Sequence, residues 1–437
     1  MEVKQAHKEI PIDIQNGSIL NICVGSVTQD THGFHKYPAK FIPQIPGWAI
    51  KKYLGNKKGK LIIDPFSGSG TTLVEGVLSG NAAVGIDIDP LSVLIAKVKT
   101  TPLDIELLNK ILPELRDAVN NPAWPLFMPE CTTLNHWFPK ETIEGLSKIR
   151  TAIEGIIKNY ELTVALRDIY DFLIICFSSI IRRVSYADNE SQKTYVSHTH
   201  IKEPAEVYSS FYGQLDYFVE RITSFSKITD LGHAKVIRAS SSEPINVLMN
   251  DTKADLAVTS PPYIKAIDYI YNQMVELFWI GDLFGMDTQT KQNNLKQKYV
   301  GNKHIPSKEY ANFSPEEHEL GICELDHKNQ EVFKTDKKNG LKHSYVVYKY
   351  FTLMDNHFQA ISECLKTGAH YVFVVGDSDV SNIHFNTADY LTEQAARYGL
   401  TLTNRWGYII KNRFMRFDRK GRGGKIDIDW VLDFQKD

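Results

Sequence analysis

Two short loops in this sequence carry residues that could bring a bound cofactor and an amino group together. Residues 66–70 read Phe-Ser-Gly-Ser-Gly and follow the apolar run 61–63. Residues 259–263 read Thr-Ser-Pro-Pro-Tyr and follow the apolar run 256–258. Glycines let a backbone pass close to a ligand, whereas paired prolines fix a loop and remove competing N–H groups. Together the loops predict transfer of a small group to an amine.

The glycine loop suits a ligand that carries a carboxylate and a ribose. The helix predicted to start at Thr71 and Thr72 offers unpaired N–H groups to a carboxylate, and both threonines add hydroxyl donors. Asp87 lies at the tip of the next predicted strand, where an acid can accept hydrogen bonds from both ribose hydroxyls. Asp89 follows two residues later, before a proline that favours a turn.

Three kinds of ligand compete for this loop. A phosphate-binding P-loop needs a lysine before its final serine or threonine, and none is present there. A dinucleotide-binding loop needs a third glycine, and that position is Leu73. S-adenosylmethionine (SAM) has no phosphates and needs a carboxylate cradle and a ribose acid, so it fits best. A purely structural glycine-rich turn remains the alternative for this motif alone.

The Ser-Pro-Pro-Tyr loop suits methylation of an exocyclic amine. The reaction needs the amine lone pair freed from its ring and aimed at the methyl group. The Ser260 hydroxyl and the Pro261 carbonyl can accept the amine hydrogens, and Pro262 restrains the loop. Tyr263 can stack on a base swung out of a helix. Catalysis would then come from orientation and charge placement. A Pro-Pro turn that merely ends a strand is the structural alternative.

The cysteines bear on chemistry and compartment. Methylation of a pyrimidine ring carbon needs a nucleophilic cysteine, usually after a proline, but all five cysteines here follow isoleucine or glutamate. They are scattered and form no Cys-x-x-Cys pair, which argues against a zinc ribbon or a disulfide framework and favours a reducing cytoplasm. His32 and His35 have a spacing that could bind a metal, but no acid or cysteine cluster supports them, and we expect no metal.

Charge and hydropathy limit the partners. The 437 residues are 43% hydrophobic and carry a formal net charge of -2. Because proteins that bind nucleic acid usually show a basic footprint, any such surface here must be local. The start of the chain has no apolar signal core, and the apolar stretch 172–181 is too short to span a bilayer, so we expect no membrane association.

The elements that must position these loops follow from periodicity. Residues 61–99 predict strand, loop, helix and strand, and hence an α/β fold with a parallel sheet and helices on both faces. Long helical periodicities dominate 101–230, whereas 286–344 is polar and weakly periodic, as in a recognition insert or a flexible lid. The last two predicted strands, 400–410 and 428–434, could form an antiparallel pair.

These patterns divide the chain into five segments. They are a cofactor-binding half at 1–100, a helical insertion at 101–230, a catalytic-loop part at 231–285, a candidate target-recognition insert at 286–344 and C-terminal strands at 345–437.

The motifs resemble those of the SAM-dependent amino DNA methyltransferases, which modify cytosine N4 and adenine N6. Residues 34–43 are similar to the family's N-terminal cofactor motif, 62–72 to its glycine motif and 84–90 to its ribose-acid motif. Residues 259–263 are similar to its catalytic motif, in the form more often associated with cytosine N4. Near Ser240, where the family often has an acid facing the adenine ring, this chain has Ala-Ser-Ser. The placement of the cofactor loop before the catalytic loop is not the commonest order for N4-cytosine enzymes.

The resemblance covers about half of the chain and implies a Rossmann-like methyltransferase sheet with SAM as cofactor. It assigns catalysis to Ser260, Pro261, Pro262 and Tyr263. It assigns cofactor binding to Tyr37, Pro38, Ala39, Lys40, Phe41, Asp64, Phe66, Ser67, Gly68, Ser69, Gly70, Thr71, Thr72, Asp87, Ile88 and Asp89.

The expected partner is double-stranded DNA. A dense basic run includes Arg413, Arg416, Arg419 and Arg422, which predict a phosphate-contacting loop, with a solvated loop as the alternative. The motifs predict a site-specific cytoplasmic DNA methyltransferase that acts on cytosine N4 first and adenine N6 second, and the resemblance implies a role in a bacterial or archaeal restriction-modification system. A cognate restriction endonuclease is a partner that this role allows. The rivals are an RNA base methyltransferase and a catalytically silent DNA-binding subunit, and the intact Ser260–Tyr263 loop argues against the latter.

Overall fold

The computed structural model describes residues 7–23, 28–38, 41–122, 125–189, 193–243, 245, 249, 251–265, 268–410 and 427–437. The strands are β1 (Ile19–Leu20), β2 (Leu61–Asp64), β3 (Ala82–Asp87), β4 (His233–Arg238), β5 (Ala254–Thr259), β6 (Leu365–Val375), β7 (Ser378–Val380), β8 (Ile383–Phe385), β9 (Leu400–Ile409) and β10 (Ile428–Lys436). Eight of them form one sheet in the order β1-β9-β10-β6-β5-β2-β3-β4, and β7 pairs with β8 in a separate hairpin.

Strand direction in the large sheet is nearly uniform. Strands β4, β3, β2, β5 and β6 pair in parallel, and β1 pairs in parallel with β9. Strand β10 runs antiparallel to both of its neighbours, β6 and β9. The predicted antiparallel pair of the last two strands is therefore present, and it lies inside the sheet with β1 added outside β9.

Helices connect and cover these strands. They are α1 (Gln44–Tyr53), α2 (Thr71–Leu78), α3 (Pro90–Thr100), α4 (Ile105–Asn120), α5 (Leu134–Trp137), α6 (Lys140–Ile157), α7 (Val164–Ile181), α8 (Val207–Ser226), α9 (Tyr269–Asn272), α10 (Met274–Ile280), α11 (Gln289–Lys296), α12 (Ser307–Tyr310), α13 (Cys323–Thr335), α14 (Gly340–Ser362) and α15 (Thr387–Ala396), with a 3₁₀ turn at Gly281–Phe284.

Alternate residues of the central strands face opposite sides, as the twofold period of a strand requires. Ile62 and Leu256 pack with Trp48 of α1 on one face. Ile63 and Ala257 pack with residues of α14 and α15 on the other face. Both faces of the parallel sheet are therefore buried under helices, which confirms the predicted α/β fold.

The two predicted inserts differ in their structure. Residues 101–230 contain α4 to α8, whose apolar faces form one core together with α3 and α10. The polar segment 286–344 contains α11, α12 and α13, so its weak periodicity does not reflect a lack of helices. The segment boundaries themselves stay predictions. No helix within the described ranges is long and apolar enough to cross a membrane.

Strand order determines where a ligand cleft forms. From β2 the chain moves outward to β3 and β4, and it then returns to the other side of β2 to form β5. The direction of winding reverses between β2 and β5, and the loops that leave their carboxyl ends diverge. In open α/β sheets, ligands bind in the crevice at this point. The glycine loop follows β2, and the Ser-Pro-Pro-Tyr loop follows β5.

Candidate active site

A cleft opens at the carboxyl edge of the sheet, where β2, β3, β4 and β5 end. It encloses about 720 Å³ of empty space, part of it continuous with solvent. Its walls come from seven stretches of the described chain, and they are Tyr37, Phe41, Pro65, Phe66, Ser67, Gly68, Ser69, Thr71, Asp87, Ile88, Ala239, Ser240, Ser241, Ser260, Pro262, Tyr269, Lys298, Tyr299 and Val300. A cleft at this position in an open α/β sheet is where ligands bind.

The glycine loop is held in a compact turn beneath one wall. The backbone N–H of Ser67 donates to the carbonyl of Ile86 at 3.0 Å, and that of Gly70 donates to the carbonyl of Ser67 at 2.7 Å. Gly68 and Gly70 have φ of 47° and 82°, a left-handed conformation that favours glycine. Gly70 is the N-cap of α2 and supplies no capping side chain, so N–H groups in the first turn of α2 are left for a ligand.

The two glycines have different neighbours. A Cβ on Gly68 would meet the Tyr37 ring at 3.3 Å. A Cβ on Gly70 would meet Cβ and Cα of Ala96 in α3, at 2.9 and 3.0 Å. Gly70 is therefore needed for packing between the loop and α3, whereas Gly68 borders the cleft.

Two hydroxyls of the loop lack partners. Ser67 Oγ and Ser69 Oγ are buried and have no hydrogen-bond partner among the described residues, although both residues line the cleft. Buried polar atoms are normally hydrogen-bonded, so these atoms indicate that a polar ligand group completes the site.

Asp87 is anchored by the loop that it faces. Its carboxylate accepts hydrogen bonds from the backbone N–H groups of Gly68 and Asp89, each at 2.8 Å. Burial raises the pKa of Asp87 to about 7, and the neighbouring Asp89 carboxylate adds to the effect. Asp89 caps α3 by accepting from Leu91 N at 2.9 Å, and the side chains of Gln273 and Tyr299 lie beside its carboxylate. Burial also raises the pKa of Asp89.

Stacked tyrosines form the wall beside these acids. The ring of Tyr269 stacks between those of Tyr37 and Tyr299, with centroid distances of 5.8 Å on each side. Ser92 Oγ donates to the Tyr37 hydroxyl at 2.8 Å, which fixes one end of the stack. The sequence analysis missed Tyr269 and Tyr299 as wall residues. Nothing in the local sequence marks them, because they reach the cleft only through the tertiary fold.

The catalytic loop contributes part of its residues to the cleft. Ser260 and Pro262 line the cleft, and Pro261 is buried. The hydroxyl of Tyr263 donates to Asp429 at 2.8 Å, and its ring packs against the core beside α14. Tyr263 therefore does not line the cleft in this conformation, and its role in base stacking stays a prediction.

A buried carboxyl joins the two loops. Asp64 is fully buried, and its Oδ1 accepts from Thr259 Oγ1 at 2.5 Å and from Phe66 N at 3.1 Å. Burial raises the pKa of Asp64 to about 6, against the opposing effect of these hydrogen bonds. Since Asp64 does not line the cleft, its assignment as a cofactor ligand stays a prediction.

The remaining predicted residues fall into two groups. Gly70, Thr72, Asp89 and Pro38 lie near the cleft but do not line it, and Thr72 Oγ1 donates to the Val258 carbonyl at 3.2 Å. Outside the described residues lie Ala39, Lys40, Arg413, Arg416, Arg419 and Arg422.

Within the described ranges, no group of three or more histidine, cysteine or acidic side chains is arranged to hold a metal ion.

Comparison with known proteins supports the resemblance drawn from the motifs. A family model described as DNA methylase, N6_N4_Mtase, matches residues 14–98. The match contains the predicted cofactor motifs, from Phe34 through Asp89. It confirms the resemblance to the amino DNA methyltransferases, and SAM is the cofactor of that class. The orphaned serine hydroxyls and the uncapped start of α2 fit the polar end of such a cofactor.

Individual relatives agree with this class. The type II methyltransferase M.MvaI of Kocuria varians is 26% identical over 415 residues, which cover 88% of this chain and 85% of the relative. M.MjaII of Methanocaldococcus jannaschii is 48% identical over 85 residues, covering 20% of this chain and 16% of the relative. M.BsoBI of Geobacillus stearothermophilus is 25% identical over 280 residues, covering 58% and 53%.

A solved structure, the rRNA methyltransferase AviRa of Streptomyces viridochromogenes, covers 92% of this chain and 88% of that chain, with 10% identity and a TM-score of 0.32. Similarity at this level carries no argument about fold or function.

Proposed function

We propose that this chain is a site-specific DNA methyltransferase that transfers a methyl group from SAM to an exocyclic amine in double-stranded DNA, cytosine N4 first and adenine N6 second. One observation carries the proposal. The glycine loop after β2 and Ser260 after β5 line the same cleft at the point where the sheet changes its direction of winding. Cofactor and acceptor would therefore meet on adjacent strands.

Residues on the β2 and β3 side would hold the cofactor. The free N–H groups of α2 and the hydroxyls of Ser67 and Ser69 suit the amino-acid end, and Gly68 permits close approach. Asp87 suits the ribose, because a carboxylate keeps acceptor capacity beyond its two backbone hydrogen bonds. When bound, SAM supplies an electrophilic methyl group on a sulfonium sulfur.

Residues on the β5 side would orient the amine. The Ser260 hydroxyl and the Pro261 carbonyl would accept the amine hydrogens, which turns the nitrogen lone pair toward the methyl group. The nitrogen would gain one N–C bond as the S–CH3 bond of the sulfonium breaks and its electron pair returns to sulfur, and the nitrogen would lose one proton to water. The two prolines offer no N–H group that could compete for the amine. Orientation and charge placement supply the catalysis.

The choice of base follows from the first residue of the loop. A neutral serine hydroxyl, instead of a carboxylate, faces the amine, and this form of the motif is more often associated with cytosine N4. Adenine N6 is the second choice.

The proposed setting is the cytoplasm, in a restriction-modification system, because M.MvaI and the other relatives are named type II methyltransferases. A cognate endonuclease would be the partner in that setting, and segment 286–344 is the proposed target reader.

The test is mass analysis of nucleosides from plasmid DNA incubated with the protein and isotopically labelled SAM. We expect labelled N4-methylcytosine, and Ser260→Ala should slow its formation by about 100-fold, the usual effect of losing one aligned polar group in an active site. Only N6-methyladenine in the digest would overturn the choice of base. Structured RNA is treated in parallel, and label confined to RNA would refute the DNA substrate. A folded protein that binds SAM but labels neither polymer would be a silent subunit.

A further inference from the structure

The catalytic loop is held at both of its ends by hydrogen bonds to carboxyl groups. Thr259 precedes Ser260, and its hydroxyl donates to the carboxyl of Asp64 at 2.5 Å. At the other end, the Tyr263 hydroxyl donates to Oδ1 of Asp429 at 2.8 Å. The two residues between Ser260 and Tyr263 are prolines, whose fixed φ leaves the loop little freedom between these anchors. The position of Ser260 therefore depends on both acids.

Asp429 reaches the catalytic loop from the other side of β6. It is the second residue of β10, which runs antiparallel to β6, so it lies at the carboxyl edge of the sheet where β5 and β6 end. Its cross-strand partner in β9 is Tyr408, and the Tyr408 hydroxyl also hydrogen-bonds to the Asp429 side chain. Asp429 thus binds one tyrosine of the sheet and one of the catalytic loop.

The Tyr263 hydroxyl has a second partner within its own loop. Burial and the Asp429 charge raise the pKa of Tyr263, whereas a hydrogen bond with the Ser260 side chain opposes this rise. A carboxylate only accepts hydrogen bonds, so the single proton of the Tyr263 hydroxyl points to Asp429. The Tyr263 oxygen then has only lone pairs to offer, and Ser260 is the donor. A directed chain of hydrogen bonds runs from Ser260 through Tyr263 to Asp429.

The direction of this chain matters for methylation of an amine. The reaction uses the lone pair of the amine nitrogen, and a serine hydroxyl that donated to that nitrogen would block the attack. If Ser260 gives its proton to Tyr263, its oxygen presents only lone pairs to the amine and can only accept the amine hydrogens. Members of a hydrogen-bonded chain also polarise one another, which makes the Ser260 oxygen a stronger acceptor.

We propose that Asp429 is a positioning residue for methyl transfer, which acts through the Tyr263 hydroxyl to hold the Ser260 hydroxyl as an acceptor for the amine. This inference rests on the proposed function and deepens it. Asp429 does not line the cleft itself, so its effect on the reaction passes through the catalytic loop.

The test is single-turnover methylation of plasmid DNA with labelled SAM, with the protein in excess. Tyr263→Phe keeps the ring and removes the hydroxyl, so it tests the chain even if Asp429→Leu disturbs β10. Each change should slow the rate by about tenfold, the effect of losing one hydrogen bond, with unchanged calorimetric affinity for SAM and unchanged affinity for DNA. Tyr408→Phe is the matched control, because it removes the other tyrosine hydroxyl bound to Asp429 and leaves the chain to Ser260 in place. It should slow the rate by less than about threefold.

Both changes are also combined with Ser260→Ala. Because Asp429 and Tyr263 act through Ser260, neither change should slow the Ser260→Ala protein further, whereas a general loss of packing would slow both backgrounds alike. A wild-type rate in both single variants, or an equal loss with and without Ser260, would overturn the inference while leaving the proposed function intact.

The control has its own contrary outcome. An equal loss of rate in Tyr408→Phe and Tyr263→Phe would also overturn the inference, since the effect would then belong to the packing of β9 and β10. A wild-type protein that binds SAM and transfers no methyl group to an amine would refute the proposed function, and this inference with it.

Discussion

Individual carboxyl groups at the cleft also hold the surrounding backbone in place through hydrogen bonds. Asp87 accepts from two backbone N–H groups, and Asp89 caps α3 with one oxygen. Each acid therefore fixes the loop that a ligand must approach. A carboxylate offers about four acceptor positions, so Asp87 can hold the loop and still accept ribose hydroxyls.

The first prediction concerns the pH dependence of cofactor binding. Burial raises the pKa of Asp87 to about 7. Ribose hydroxyls donate to the ionised carboxylate, so SAM binding favours its deprotonation. Affinity should therefore rise as pH increases toward about 7 and level off above it. Asp87→Asn should weaken binding by about 1–3 kcal/mol and flatten this dependence.

Calorimetric titration with SAM across this pH range measures both effects. Asp104→Asn is the control, since Asp104 is an exposed capping residue of α4. A wild-type affinity that does not vary with pH, or an Asp87→Asn variant that binds normally, would show that another group holds the ribose.

The second prediction concerns the hydrogen bond between Asp64 and Thr259. Because Thr259 directly precedes Ser260, this bond fixes the start of the catalytic loop from beneath the glycine loop. Thr259→Val and Asp64→Leu should each slow single-turnover methylation by about tenfold, the equivalent of about 1.4 kcal/mol, with little change in SAM affinity. The double variant should raise the activation free energy by less than the sum of the two single variants, because both changes remove the same hydrogen bond.

Thr392→Val is the matched control, since its hydroxyl donates within α15 at 2.8 Å, away from the cleft. If the Asp64 variant instead loses SAM affinity in proportion to its rate, Asp64 contacts the cofactor directly, as the motif resemblance implied.

At the scale of elements, the sequence predicts what is local. The unit of strand, glycine loop, helix and strand at 61–99 is evident because each piece depends on neighbours in the sequence. Parallel strands bring their carboxyl ends to one edge, so the meeting of the two loops also follows from sequence. The wall at Lys298–Val300 could not be predicted, because it depends on how α11 and the chain around it pack against α9.

The third prediction follows from that wall. Tyr299 lies in segment 286–344, which the sequence suggested as a recognition insert or a lid, yet its ring stacks on Tyr269 beside the cofactor acids. Tyr299→Leu should weaken SAM binding by about 0.5–1.5 kcal/mol through loss of aromatic packing. Tyr310→Leu is the control in the same segment, because Tyr310 contacts Tyr345 and does not line the cleft. Equal SAM affinity in the two variants would show that the tyrosine stack does not support the cofactor.

At the scale of the whole molecule, several buried ionisable groups have pKa values shifted by burial. The pKa values of Asp64, Asp87 and Glu276 are raised by burial to about 6, 7 and 7. The pKa of His357 is lowered by burial to about 4. Asp433 and His370, which are hydrogen-bonded to each other, shift in opposite directions and offset one another.

The fourth prediction is the sign of the dependence of stability on pH. A carboxyl with a raised pKa contributes stability that is complete below its unfolded pKa, near 4, and is lost as pH rises through its folded pKa. His357 acts oppositely, and its contribution is lost as pH falls from about 6.5 through 4. Three carboxyls outweigh one imidazole, so the free energy of unfolding of the SAM-free protein should fall between about pH 5 and pH 7.

Urea unfolding at several pH values measures this slope. Glu276→Gln should make the slope of the free energy of unfolding against pH shallower by the equivalent of about one bound proton. Glu276 is 6% exposed, and one of its oxygens has no partner among the described residues. Glu106→Gln, an exposed change in the first turn of α4, should leave the slope unaltered. Saturating SAM should also make this slope shallower. SAM binds more tightly when Asp87 is ionised, so it stabilises the folded protein more at pH 7 than at pH 5 and offsets part of the loss. A free energy of unfolding that rises from pH 5 to pH 7 would mean that these carboxyls are ionised in the folded protein, and the proposed pH dependence of cofactor binding would then fail with it.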